Sequence, residues 1–282
     1  MTAFTHKTRA CLANSPTNTE SLQFLRGDSD MLDKIFLKDC LDGLPSIPEQ
    51  SIDMILCDLP YGTTACKWDT VLPLDKLWEQ YSRVIKDNGA VVLTAVQPFT
   101  SQLIMSNPAM FRQELIWLKT RPSNFMNAKK MFMNWHEDIL VFYKKLPVFN
   151  RQMVAGKPRR DKIAKVDRSN SVFGKTGEQP EYGFDNRGLM NPSTVLTFSN
   201  SNAKSLHPTQ KPVPLFEYLI NTYTNPGHIV LDTCMGSGTT AIAAIRTGRH
   251  FIGFETDETY FNVAAARIRN EFDNKLRTGA AS

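Results

Sequence analysis

The run Val230-Leu231-Asp232-Thr233-Cys234-Met235-Gly236-Ser237-Gly238-Thr239-Thr240 constrains this fold more than any other segment, since it joins an apolar strand to a helix start through two glycines. Glycines so placed let the backbone turn sharply and approach a ligand that a Cβ would push away. Open N–H groups at the start of the next helix then face that ligand. A strand, turn and helix of this kind belong to an α/β fold with a parallel sheet. Only about fifty of the 282 residues follow Gly236, so the other strands must come largely from upstream. Gly236-Ser237-Gly238-Thr239-Thr240-Ala241 also fits the G-x-G-x-x-A pattern of dinucleotide sites, with Glu255 at a suitable distance to hold ribose hydroxyls. A nicotinamide oxidoreductase is therefore a rival on this motif alone, and the shortage of following strands argues against it.

The upstream pattern supplies those strands. Ile35-Phe36-Leu37 and Ile52 to Cys57 are short apolar runs of buried-strand type. Leu74, Leu77, Trp78, Tyr81, Val84 and Ile85 recur at helical spacing, with Asp87-Asn88-Gly89 as the expected stop. Ala90 to Thr94, Glu114 to Leu118 and Ile139 to Tyr143 read as further strands, the last two separated by a long polar connection from Lys119 to Trp135. A connection that long points to a functional loop. Residues 144–205 lack periodicity apart from Val195 to Phe198. A helical face then runs from Leu215 to Tyr223, followed by strand 228–231, helix 240–247, strand 250–254 and a final helix from Asp257 to about Asn270.

Directly after the second strand stands Asp58-Leu59-Pro60-Tyr61-Gly62. A carboxylate beside an aromatic ring suits chemistry on the amino group of a nucleobase, which must leave its stack to react. With His136-Glu137-Asp138-Ile139-Leu140-Val141-Phe142, His207-Pro208-Thr209-Gln210-Lys211-Pro212 and the glycine turn, it makes four motifs in one order. Over residues 33 to 270 the chain thereby resembles the beta-group DNA amino-methyltransferases, with their D-P-P-Y, H-E-x-I-L-V-F, H-P-T-x-K-P and F-x-G-x-G motifs. Leu59 stands where that family usually has Pro, and Cys234 where it usually has Phe.

The resemblance implies a Rossmann-like methyltransferase fold with a mostly parallel sheet, a circularly permuted motif order and an inserted target-recognition region. It divides the chain into an N-terminal arm (1–30), a catalytic half (31–143), the insertion (144–205) and a cofactor-binding half (206–282). The implied cofactor is S-adenosyl-L-methionine. Its pocket would draw on Asp39, Cys40, Asp58, Thr209, Lys211, Asp232, Cys234, Met235, Gly236, Ser237, Gly238, Thr239 and Glu255. Among these, Asp232, Gly236 and Gly238 would cradle the methionine part, Glu255 the ribose diol, and Asp39-Cys40 would lie near the adenine. Glu255 could equally cap the helix that follows, and Thr209 could cap the helix after Pro212.

Catalysis would fall to Asp58, Leu59, Pro60 and Tyr61, with Asp58 and the Leu59 carbonyl accepting from the target amine and Tyr61 stacking on the base. Asp at the first motif position usually accompanies N6-adenine methylation in this family, and Ser accompanies N4-cytosine. Trp68 and Phe99 are near enough in sequence to line the pocket, although aromatic residues so placed more often belong to a core. Site-specific adenine methylation is the leading expectation. A cytosine-N4 enzyme, an RNA or protein amine methyltransferase, the oxidoreductase and an inactive DNA-binding relative stay open behind it.

Charge points the same way. The net charge is only +5, but Lys144 to Lys175 holds ten basic residues against Asp161 and Asp167. Such a local excess attracts phosphates, or merely keeps a solvated loop soluble. Arg121, Lys129, Lys130, Arg151, Lys157, Arg159, Arg160 and Lys162 are the expected contacts to double-stranded DNA. A second copy of the chain and a cognate restriction endonuclease are open as further partners. The five cysteines show no C-x-x-C spacing and the five histidines no ligand spacing, so neither a disulfide framework nor a catalytic metal is expected. No apolar run is long enough for a membrane span and residues 1–19 lack a secretory pattern, which together predict a cytoplasmic protein.

Overall fold

The computed structural model describes residues 31–62, 69–157, 187–200 and 210–279. Among the described residues there are ten strands: β1 (Lys34–Leu37), β2 (Ile52–Asp58), β3 (Ile85–Ala95), β4 (Phe111–Ser123), β5 (Asn134–Phe142), β6 (Val154–Ala155), β7 (Leu189–Met190), β8 (Val195–Phe198), β9 (Ile229–Asp232) and β10 (His250–Glu255). The helices are α1 (Cys40–Gly43), α2 (Leu74–Val84), α3 (Phe99–Ser106), α4 (Val213–Tyr223), α5 (Thr239–Thr247) and α6 (Glu258–Gly279). Eight strands form one sheet in the order β1-β10-β9-β2-β3-β5-β4-β8, and β6 pairs with β7 apart from it.

The five strands from β1 to β3 run parallel, β5 is antiparallel to both of its neighbours, and β8 runs parallel to β4. Glycine-turn strand β9 thus lies between β10 and β2, so the late motif and the early one share a sheet edge. Side chains alternate across the pleat. Ile55, Cys57, Val91 and Leu93 pack with α2 and α3 on one face, and Met54, Leu56, Ala90 and Val92 pack with α4 and α5 on the other. Both faces are covered, which explains why β2 reads as a continuous apolar run rather than an alternating one. Below the sheet, Asp53 holds the strand starts together by accepting from Ile229 N at 2.9 Å and from Lys86 Nζ at 2.7 Å.

Several elements differ from the sequence expectation. Helix α2 stops at Val84, and Asp87-Asn88-Gly89 lies inside β3, in the register shift between the pairs Ile52↔Ile85 and Met54↔Ala90. A Cβ on Gly89 would lie 2.8 Å from the Asp53 carbonyl, so close backbone approach selects the glycine there. Strand β4 runs on to Ser123 and β5 begins at Asn134, which shortens the connection expected over 119–135. Helix α3 had no counterpart in the periodicity, and α6 extends beyond Asn270 to Gly279. Within the expected insertion, Val195–Phe198 adds the eighth strand to the main sheet. Pro212 holds the N-cap position of α4; Thr209, the residue expected to cap it, lies outside the described residues, as does the arm 1–30.

Candidate active site at the carboxyl edge of the sheet

Parallel α/β sheets bind ligands beyond the carboxyl ends of their strands. Asp58 ends β2, Asp232 ends β9, Glu255 ends β10, and Asp39 follows β1. All four line one cavity of about 920 Å³, together with Leu59, Pro60, Tyr61, Cys40, Lys211, Cys234, Met235, Gly236, Ser237 and Thr239. This is near the upper end of small-molecule pockets and gives room for a nucleoside-sized ligand with a second ring beside it.

On the glycine side the turn is fixed from within. Gly236 and Gly238 have φ of +53° and +85°, and a Cβ on Gly238 would lie 3.1 Å from Ala264 Cβ in α6. Gly253 makes similar room for Met235, whose Cε would lie 2.1 Å from a Cβ there. Asp232 accepts from Cys234 N at 2.9 Å and from Thr240 Oγ1 at 2.5 Å. Burial still dominates and pushes its carboxyl up to about 6, against those hydrogen bonds. Glu255 accepts from Gly236 N at 2.6 Å with one oxygen, and from Thr256 N and Asp257 N with the other. Helix α6 itself is capped by Asp257, which accepts from Thr259 N and Tyr260 N, so Glu255 serves the glycine turn instead of that helix. Asp39 caps α1 by accepting from Leu41 N at 2.8 Å. Beneath the turn, Thr233 Oγ1 bonds the Tyr81 hydroxyl at 2.6 Å and the Cys57 thiol at 3.3 Å. Burial holds the thiols of Cys40 and Cys57 above their ordinary range, that of Cys40 at about 12.

The Asp58–Tyr61 side is a charge network. Asp58 Oδ1 accepts from the hydroxyls of Tyr61 and Thr94, each at 2.5 Å, and Oδ2 accepts from Lys211 Nζ at 2.7 Å. Burial, then the Asp58 charge, keeps the Tyr61 phenol well above its ordinary value, so the hydroxyl remains a donor. Phe99 stacks on the Tyr61 ring at 5.4 Å between centroids and is itself buried, a wall behind Tyr61 and not a lining residue. Lys211 Nζ lies 5.4 Å from the same ring centroid and 3.2 Å from Glu137 Oε2. Burial opposes the Lys211 charge, yet Asp58 and Glu137 outweigh it and hold the ammonium above its ordinary value.

Of the residues expected for catalysis and cofactor binding, all that the structure describes except Gly238 line this one cavity, and Thr209 lies outside the described residues. Of the expected DNA contacts, Arg121, Lys129 and Lys130 are exposed on the β4–β5 hairpin, whose root residues Ser123, Asn134 and His136 line the cavity. Arg151 and Lys157 are exposed beside β6, while Arg159, Arg160, Lys162 and Trp68 lie outside the described residues. Thr94, Lys119 and Glu137 were not anticipated as site residues. Lys119 carried a signal, since in β4 it shares the buried parity of Leu115 and Trp117.

A family model described as a DNA methylase, of the N6/N4 type, matches residues 52–266. The chain belongs to the N6/N4 DNA methylase family. This methylase is 29% identical over 272 residues to the type II methyltransferase M.BglII of Bacillus subtilis, covering 86% of the chain and 70% of that relative. Among solved structures it resembles M1.HpyAVI in complex with SAM, at 25% identity and TM-score 0.56 over 83% of the chain and 98% of that protein. The fold also matches the cytosine-N4-specific PvuII DNA methyltransferase, at 17% identity and TM-score 0.57 over 86% of the methylase and 92% of that chain. The mostly parallel sheet of the methylase is accordingly the Rossmann-like methyltransferase fold. Among the described residues, no helix is long and apolar enough to cross a membrane, and no group of three or more His, Cys, Asp or Glu could hold a metal.

Proposed function

We propose that this DNA methyltransferase transfers a methyl group from S-adenosyl-L-methionine to the exocyclic N6 of an adenine swung out of double-stranded DNA at a specific site. One observation carries the reading: Asp58 and Tyr61 open into the same cavity as the glycine turn. The cradle fits the donor, because the positive-φ glycines admit a ligand against the backbone and the carboxylates of Asp232 and Glu255 suit an amino group and a ribose diol. Bound there, the sulfonium supplies an electrophilic methyl.

An exocyclic aromatic amine is a poor nucleophile, its lone pair being delocalised into the ring. Alignment therefore matters more than a strong base. Asp58 and the Leu59 carbonyl accept from the amine and favour a pyramidal nitrogen as positive charge develops. Asp58 is ready for this: of its roughly four lone-pair sites, two on Oδ1 take hydroxyls and one on Oδ2 takes an ammonium. One site remains for the amine. Tyr61 offers a ring face, and base-on-aromatic contacts are worth about 1–3 kcal/mol each.

In the same reading, 31–143 is the catalytic half, 206–282 the cofactor half and 144–205 the target-recognition region. Arg121, Lys129, Lys130, Arg151 and Lys157 meet phosphates, joined by Arg159, Arg160 and Lys162. A second copy of the chain and a cognate restriction endonuclease are the further partners it admits. Support for adenine comes from Asp at the first motif position; the likeness to a cytosine-N4 enzyme favours the second reading. The test is to digest DNA from cells expressing the protein to nucleosides and weigh them. N6-methyladenine is expected, and the Asp58→Ala variant should yield none while binding the cofactor nearly as well. N4-methylcytosine would overturn the choice of base, and neither product would overturn the activity.

A further inference from the structure

Four charged side chains stand in file from the reacting carboxylate to the root of the β4–β5 hairpin. Asp58 Oδ2 meets Lys211 Nζ at 2.7 Å, Lys211 meets Glu137 Oε2 at 3.2 Å, and Glu137 Oε1 meets Lys119 Nζ at 2.7 Å. Lys119 in turn reaches Ser123 Oγ at 3.3 Å, at the hairpin root. The side chains of both lysines are 6% exposed and that of Glu137 is 14% exposed, so water screens these charges little. With little screening, an ammonium offered only one carboxylate closes on it.

Lys211 is offered two, and it treats them unequally. Its N–H is directed at Asp58 at 2.7 Å, whereas Glu137 Oε2 is buried 3.2 Å away without a well-aligned hydrogen bond and holds the ammonium mainly by charge. The amine to be methylated has to share Asp58 Oδ2 with this same ammonium. We propose that Glu137 is a positioning residue for methyl transfer: its charge draws Lys211 partly off Asp58, keeping Oδ2 open to the target amine. Lys119 pins the other oxygen of Glu137 to the hairpin root, so the device is anchored in a wall of the cavity. The inference rests on the proposed transfer to an exocyclic amine and holds for either base.

Glu137→Gln keeps the shape and removes the charge. Misplacement of a reacting group by about 1 Å can cost on the order of 100-fold, so kcat for methyl incorporation into unmethylated genomic DNA should fall by about that factor. KM for the cofactor should stay nearly unchanged. The groups facing Lys211 are Asp58 and the Tyr61 phenol beside β2 and Glu137 from β5, with Lys119 of β4 behind Glu137. Removing Glu137 takes away one of the two anions that favour the Lys211 proton. The alkaline limb of the kcat profile should therefore move to lower pH, and Glu137→Asp should move it back. Lys119→Met should shift the limb in the opposite sense, because Glu137 then has a single cation to neutralise. This second variant decides the matter if Glu137→Gln unfolds on heating earlier than the parent. Wild-type rate and limb in Glu137→Gln, or a lost rate with an unmoved limb in both variants, would overturn the proposal. A parent protein that methylates nothing would instead overturn the proposed function.

Discussion

At the glycine turn Asp232 and Glu255 accept from Cys234, Thr240, Gly236, Thr256 and Asp257, whereas at the tip of the β4–β5 hairpin large apolar side chains face solvent. Phe125, Met126, Met131 and Phe132 are 74%, 86%, 58% and 97% exposed. No acidic residue occurs between Leu118 and Trp135, while Lys119, Arg121, Lys129 and Lys130 do. The glycine turn lines the cavity and the hairpin reaches it only through its root, and one region is complete in itself while the other is not. A site built for reaction keeps its groups positioned by internal bonds. Clustered exposed apolar groups mark a surface that a partner covers, and the cations around them suit a phosphate backbone. On the function proposed here, the protein prepares the chemistry in advance and leaves the grip on DNA to be completed by the DNA.

Stability measurements sharpen the contrast most. Phe99→Ala removes a buried ring that supports Tyr61, and should cost about 3–5 kcal/mol by denaturant unfolding. Phe132→Ser should change stability by no more than roughly 0.5 kcal/mol. Comparable losses from the two would show that the hairpin tip packs internally, and the comparison would fail.

Cofactor binding against pH tests the enclosed side next. Burial raises the Asp232 carboxyl to about 6 from an ordinary 3.8, so the folded protein takes up this proton before the unfolded chain does. The sign follows: the ionised carboxylate is present above about 6, and stability contributed by the protonated form is lost as pH rises through that value. Affinity for S-adenosyl-L-methionine, whose amino group favours the anion, should therefore weaken about tenfold per pH unit below the break. Isothermal titration with Asp232→Asn should show no break. The smallest effect is expected at the open side. Replacing Lys129 and Lys130 by Ala should lower the slope of log K for DNA against log salt by about two, with an unchanged unfolding temperature.

Much of the edge arrangement was legible because strand ends and glycines are local features. Asp58, Asp232 and Glu255 each close an apolar run, and a parallel sheet then brings run ends to one side. Less legible were features set by distant contacts. Asp87-Asn88-Gly89 has the composition of a helix stop, but pairing with β2 draws it into β3, where Asp53 leaves no room for a side chain at Gly89. Val195–Phe198 resembles an isolated apolar run until β4 supplies its partner. Glu137 has no role readable from its motif, because only the antiparallel insertion of β5 beside β3 carries its carboxylate to the edge where Lys211 and Asp58 meet. Thr94 is invisible for the same reason: its hydroxyl matters only once β3 lies beside β2.

The pairing of β1 with β10 has one more outcome. Strand β1 begins, and α6 finishes, on the side of the sheet away from the cavity, and α6 packs against β1. A linker of modest length could join the two there, and the polypeptide could be opened at the exposed stretch 144–146 instead, with every strand neighbour preserved. A gene encoding this protein could thus be cut and spliced into a new reading order without touching the geometry that holds Asp58 beside the glycine turn.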